Sequence, residues 1–149
     1  MELVVGENTY VTVVGADEFI NAFYTEFEGI YIWWNGLTIE QQEKFLLRSA
    51  RAIDRLPFTG YRTDGSQAMS FPRNDESDIP EELIEAQILN AHFIANHERD
   101  QIRGRGVKKY TIDNISEEFF SPTDYLDQVY SPDVIGILAY WLRGGYVIR

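Results

Sequence analysis

Apolar positions along this chain fall into several stretches with a helical period, separated by runs with the chemistry of turns and extended chain. Leu3-Val4-Val5 and Tyr10-Val11-Thr12-Val13-Val14 are β-branched and aromatic, with a turn at Gly6-Glu7-Asn8 between them. They predict an extended arm or strand over 2–14. Gly15-Ala16-Asp17-Glu18 reads as a helix start with acids in its first turn. Phe19, Ile20, Phe23, Tyr24 and Phe27 continue the spacing, which predicts a first helix over about 16–26. Ile30-Tyr31-Ile32-Trp33-Trp34 is an aromatic patch ending at Asn35-Gly36. It is either core packing or an exposed subunit contact, since Trp and Tyr serve both.

The second helix carries the clearest pattern. Thr38 is its N-cap and Gln41, three residues on, closes a capping box. Phe45, Leu46, Ser49, Ala50, Ala52, Ile53 and Leu56 share one broad face, with Lys44, Arg48, Arg51 and Arg55 in a narrow stripe beside it. That stripe is either a solvated flank whose stems cover the core edge, or a site for phosphate or an acidic partner. Pro57 and Gly60 end the helix, and Asp64-Gly65 makes a turn. Gln67-Ala68-Met69-Ser70-Phe71-Pro72-Arg73 is too apolar for an ordinary loop and too proline-bound for a helix. Phe58, Met69, Phe71 and Pro72 are predicted to fix the second helix against the third, with Phe58, Met69 and Phe71 buried.

The third helix begins at Ile79-Pro80-Glu81-Glu82, proline in the first turn and acids at the positive end. Leu83, Ile84, Ile88, Ala91, Ile94 and Ala95 form its apolar face, and it fades near 96–99. Residues 100–109 form a basic connector. Loose alternation over 107–120, with a turn at Asp113-Asn114, predicts a short hairpin within 105–120. Ser131-Pro132-Asp133 caps a last helix whose face is Val134, Ile135, Leu138, Trp141 and Leu142, stopped by Gly144-Gly145. Residues 144–149 form a short extended tail. The fold class is mainly α: a small bundle of about four helices with a short β-hairpin and extended N- and C-terminal arms, in one domain over 1–149.

Composition narrows the function. A hydrophobic share of 44% over 149 residues supports a folded core. The absence of cysteine removes disulfides, thiolate metal sites and a cysteine nucleophile. No apolar run approaches the roughly 20 residues of a membrane span, and Met1–Gly6 lacks the basic start of a signal peptide. Formal net charge is −11, and no Lys or Arg precedes Lys44. The basic residues gather at 44–62 and again at 99–109, where Arg103, Arg105, Lys108 and Lys109 lie. A net acidic chain argues against free-standing nucleic-acid binding. Single-stranded DNA binding is the alternative function; it needs aromatics interleaved with cations, and the aromatic patch has no basic neighbour in the sequence.

Catalytic chemistry is not organised. His92 and His97 sit five residues apart, diverging by about 140° on a helix, so they make no helical metal pair. Neither lies in a nucleophile–base context. The acids fall in capping or loop settings, although a carboxylate pair is set by three-dimensional separation rather than by sequence. No enzyme activity, cofactor or metal is predicted.

Several pieces, in order along the chain, resemble the head–tail adaptor (connector, or neck) proteins of tailed bacteriophages, many of which are described as DnaT-like single-stranded-DNA-binding proteins. Asn8-Thr9-Tyr10-Val11 with Ala16-Asp17-Glu18-Phe19 is similar to that family's opening, and Leu47-Arg48-Ser49-Ala50 with Ile53-Asp54-Arg55 to its second helix. Phe58-Thr59-Gly60 with Arg62, then Gln67 to Arg73, is the most specific piece, with Phe71 where a Trp is usual. Ile79-Pro80 with Ala86-Gln87, Gly106 to Lys109 with Ile112, and Ile137-Leu138 to Arg149 complete the set. The resemblance implies a homo-oligomeric ring, commonly dodecameric, under the portal protein of the virion neck, assembled in the host cytoplasm. Such a ring extends the DNA channel and docks a stopper or tail completion protein, with DNA passing through unread. It makes Lys44, Arg48, Arg51, Arg55, Arg103, Arg105, Lys108 and Lys109, and the tail Tyr146, Val147, Ile148 and Arg149, candidate subunit or portal contacts.

Overall fold

Thr12, rather than Gly15, starts the first helix. In the computed structural model, which describes residues 2–97 and 130–142, α1 spans Val13–Phe23. The Thr12 hydroxyl accepts the Gly15 N–H at 3.1 Å. The extended reading to Val14 is therefore corrected, and so is the acidic first turn, since Asp17 and Glu18 lie beyond it. A satisfied cap outweighs the weak strand preference of Val13 and Val14. Tyr24 ends α1 in an extended conformation, which leaves Phe27 outside the helix in a turn.

α2 spans Gly29–Asn35 and α3 spans Ile39–Asp54. Both bonds of the predicted capping box form: Thr38 N–H donates to Gln41 Oε1 at 2.9 Å and Gln41 N–H to Thr38 Oγ1 at 3.2 Å. α4 covers 81–97. α5 spans Pro132–Ile137, with Ser131 as N-cap, and a 3-10 turn follows at Ala139–Trp141. The described residues are mainly helical, and among them extended pairing is limited to isolated bridges. None of their helices is long and apolar enough to cross a membrane.

α5 stops earlier than expected. The predicted stop at Gly144-Gly145 is corrected, since the α-helix has ended at Ile137. Tertiary pairing supplies the reason. Thr59 N–H donates to Trp141 O at 2.6 Å and Leu142 bridges Phe58 antiparallel, which draws the chain into an extended path.

The core has two parts, and α3 contributes to both. One gathers Ala50, Ile53, Phe58, Phe71, Leu83 and Val134, among others; the second gathers Ala16, Ile20, Ile30, Trp34, Leu46 and Ile88. In the aromatic patch Ile30 and Trp34 are core, while Ile32 is exposed. Trp34 Nε1 donates to Asp17.

Buried polar groups tie the two parts together. Gln87, fully buried on α4, accepts the Tyr10 N–H through Oε1 at 2.9 Å. Its Nε2 donates to Thr9 Oγ1 at 2.7 Å and to Leu46 O at 2.9 Å. Asp54, at the end of α3, accepts the Tyr10 hydroxyl at 2.6 Å and the Ser70 N–H at 2.7 Å. Burial, then the hydrogen bond to Asp54, pushes the Tyr10 phenol above its ordinary range. The predicted hairpin within 105–120 and the tail 144–149 lie outside the described residues.

Candidate nucleic-acid interface

On α3 the buried residues Gln42, Leu46, Ser49, Ala50 and Ile53 face the core. At about 100° per residue, their mean direction is opposite that of Lys44, Arg48, Arg51 and Arg55. All four cations are exposed. The stripe is thus the outermost line of the helix and not its flank. Lys44 Nζ lies 3.1 Å from Glu40 Oε1, one turn earlier, with both side chains in solvent.

Each side of the stripe has a different lining. On one side Leu47, Arg48, Arg51, Arg55, Ala68 and Met69 border an open groove of about 480 Å³. Glu7, Asn8 and Asp54 complete its wall. Three guanidinium-bearing side chains therefore stand over a partly apolar floor. On the other side the Arg48 guanidinium lies 5.7 Å from the Phe45 ring centroid. Phe45 meets Trp33 edge-on at 5.4 Å, and Trp33 meets the His92 imidazole at 5.1 Å. Phe45 and Trp33 are half-buried, so each keeps an accessible edge. A single aromatic–cation row results, although its members come from α2, α3 and α4.

This arrangement can hold a phosphate by paired N–H donors and a planar ring by stacking or apolar contact. Among the described residues no group of three or more metal-ligating side chains converges.

Phe58, Met69 and Phe71 are buried and Pro72 half-buried. Phe58 and Phe71 meet edge-on at 4.8 Å, beneath the Arg73 guanidinium. Arg73 is fastened there by donating to the carbonyls of Thr59, Gly60 and Ser70. Arg103, Arg105, Lys108, Lys109 and Tyr146 to Arg149 lie outside the described residues. The sequence reading missed two things: the groove behind Leu47, and the closeness of the aromatic patch to the stripe. Leu47, about 40° beyond Arg51 on the wheel and so beside the stripe, was the available signal for the groove. The second was hidden, because Trp33 reaches Phe45 only after α2 folds back on α3.

No curated protein and no solved structure matches the chain. The profile of one protein family, described as "Putative DnaT-like ssDNA binding protein", matches residues 2–149. With a match over nearly its full length, the chain belongs to the DnaT-like ssDNA binding protein family.

Proposed function

We propose that this chain binds single-stranded DNA along the exposed face of α3, and that its function is carried by binding and not by a reaction. The observation behind this reading is the row formed by the Arg48, Arg51 and Arg55 groove with Phe45 and Trp33 beside it. It supplies the interleaved cations and rings that the linear sequence lacked. The family description supports the same reading. The overall charge of −11 limits affinity, because the strand meets a repulsive field before it reaches the stripe.

The test is fluorescence anisotropy of a labelled oligo(dT) against salt. Lys44, Arg48, Arg51 and Arg55 allow about three to four phosphate contacts, so log affinity falls with log salt at a slope of about −2 to −3. Between 50 and 200 mM salt that is a loss of roughly 16- to 64-fold. Reversing Arg48 and Arg51 to Glu removes most of the binding. Absence of saturable binding at low salt ends this reading.

The second reading is the head–tail adaptor ring of a virion neck. The segregation of charge favours it: acids alone up to Glu43, then a basic stripe on the outermost line of α3. Such faces suit contact between subunits or with a portal protein. Sedimentation of the chain alone and with a portal protein tests it, and failure to bind any portal sinks it.

A further inference from the structure

The last residue of α1 and the turn after it leave two aromatics without cover. Phe23 is 71% exposed and Phe27 is 83% exposed. Phe23 stacks on half-buried Phe19 with centroids 4.8 Å apart, and Phe19 lies 6.2 Å from Tyr24. The result is an aromatic shelf at the end of α1 whose inner edge is anchored in the second part of the core. Exposed aromatic clusters of this kind mark interaction surfaces when polar residues surround them.

Among the described residues, the charges set around the shelf are acidic. Glu18 and Glu26 are exposed nearby in the chain, and Glu28 folds back so that its carboxylate accepts the Thr25 N–H at 3.1 Å. Burial raises the Tyr24 phenol, and the carboxylates of Glu85, Glu28 and Asp133 raise it further. Acids from α4 and α5 therefore add to those of the α1–α2 turn. No Lys or Arg occurs in residues 2–43 to offset them.

From this placement we propose that the Phe19–Phe23–Tyr24 shelf, with Phe27, docks a basic amphipathic segment of a partner protein. Apolar side chains of that segment cover Phe23 and Phe27. Its Lys or Arg side chains meet Glu26, Glu28 and Glu85 and lie over ring faces, which attract cations. The surface uses none of the residues assigned to DNA, so its success or failure is independent of that reading.

The probe is a synthetic amphipathic Lys–Leu helical peptide titrated into the ¹⁵N-labelled full chain, with oligolysine and a Glu–Leu peptide of equal length as controls. The Lys–Leu peptide is expected to shift the amides of Phe23, Tyr24, Phe27 and Glu28, and the Glu–Leu peptide to leave them unmoved. Phe23→Ser with Phe27→Ser should weaken binding at least about tenfold. Glu26→Lys with Glu28→Lys, which leaves the rings intact, should weaken it similarly. Equal binding of oligolysine, unchanged affinity in either double variant, or occupation of the shelf by a second copy in sedimentation overturns the proposal.

Discussion

Replacing Gln87 by Leu tests how the N-terminal arm is held. The two side chains are similar in volume, so the change removes polar partners without opening a large cavity. Three groups lose a bond: the Tyr10 N–H, the Thr9 hydroxyl and the Leu46 carbonyl. The losses are unequal. Thr9 Oγ1 still donates to Val11 O at 2.7 Å, and Leu46 O sits within the helical ladder of α3. Tyr10 N–H is buried with Gln87 Oε1 as its acceptor, so it carries the desolvation cost of an unmade bond, about 1–3 kcal/mol. Adding a fraction for the other two gives about 2–3 kcal/mol for Gln87→Leu. Gln87→Ala adds a cavity and should cost about 4 kcal/mol. Urea unfolding followed by tryptophan fluorescence measures both, and exchange of the Tyr10 amide reports the arm itself. Because Glu7 and Asn8 wall the groove beside α3, a loosened arm should also weaken DNA binding in the variant. A Gln87→Leu chain within about 0.5 kcal/mol of the parent, with a protected Tyr10 amide, would refute the reasoning.

Further expectations follow from other named contacts. Tyr10 has a raised phenol pKa, so its neutral form is favoured by folding. Stability from it is complete below the ordinary tyrosine value near 10 and falls as pH rises above it, by at most about 1.4 kcal/mol per pH unit. Tyr10→Phe should lower stability at neutral pH and flatten that alkaline limb, read by unfolding at several pH values. Phe58→Ala opens a cavity under Arg73 and beside Phe71, and should cost about 3–5 kcal/mol in the same unfolding assay. Thr38→Ala removes the capping box and should cost about 1 kcal/mol. Gly60→Ala should destabilise by more than about 1 kcal/mol, since Gly60 has a φ of 79° and an added Cβ would overlap the Asn74 side chain.

Local signals were legible and tertiary ones were not. The capping box at Thr38 and Gln41 and the Ser131-Pro132 start need only neighbours in the chain, and both form as the sequence predicts. Burial along α3 follows the same logic, with Leu46, Ala50 and Ile53 recognisable by period. The start of α1 was misplaced because Thr12 lies inside a β-branched run, where strand propensity and capping compete for one residue. Gln42 and Gln87 were invisible as core residues, since a buried amide is licensed only by distant partners. For Gln42 that partner is the Trp34 carbonyl at the end of α2. The basic half of the candidate interface was present in the spacing of Lys44, Arg48, Arg51 and Arg55. Its aromatic half depends on Trp33 of α2 meeting Phe45 and His92 of α4 meeting Trp33, which no local pattern encodes.

The pairing of Thr59 with Trp141, and of Phe58 with Leu142, sets an order of events during synthesis. α1 to α4 leave the ribosome with one core, around Ile20, Trp34 and Leu46, already complete in sequence. The other core lacks Tyr130, Val134, Leu138 and Leu142 until the last part of the chain is made. For that interval Phe71 lacks Trp141 and Phe58 lacks Leu142. Such transiently uncovered aromatics are where nascent chains aggregate or recruit chaperones. A ribosome-stalled chain ending shortly before residue 130 should therefore be the most chaperone-dependent length of this protein.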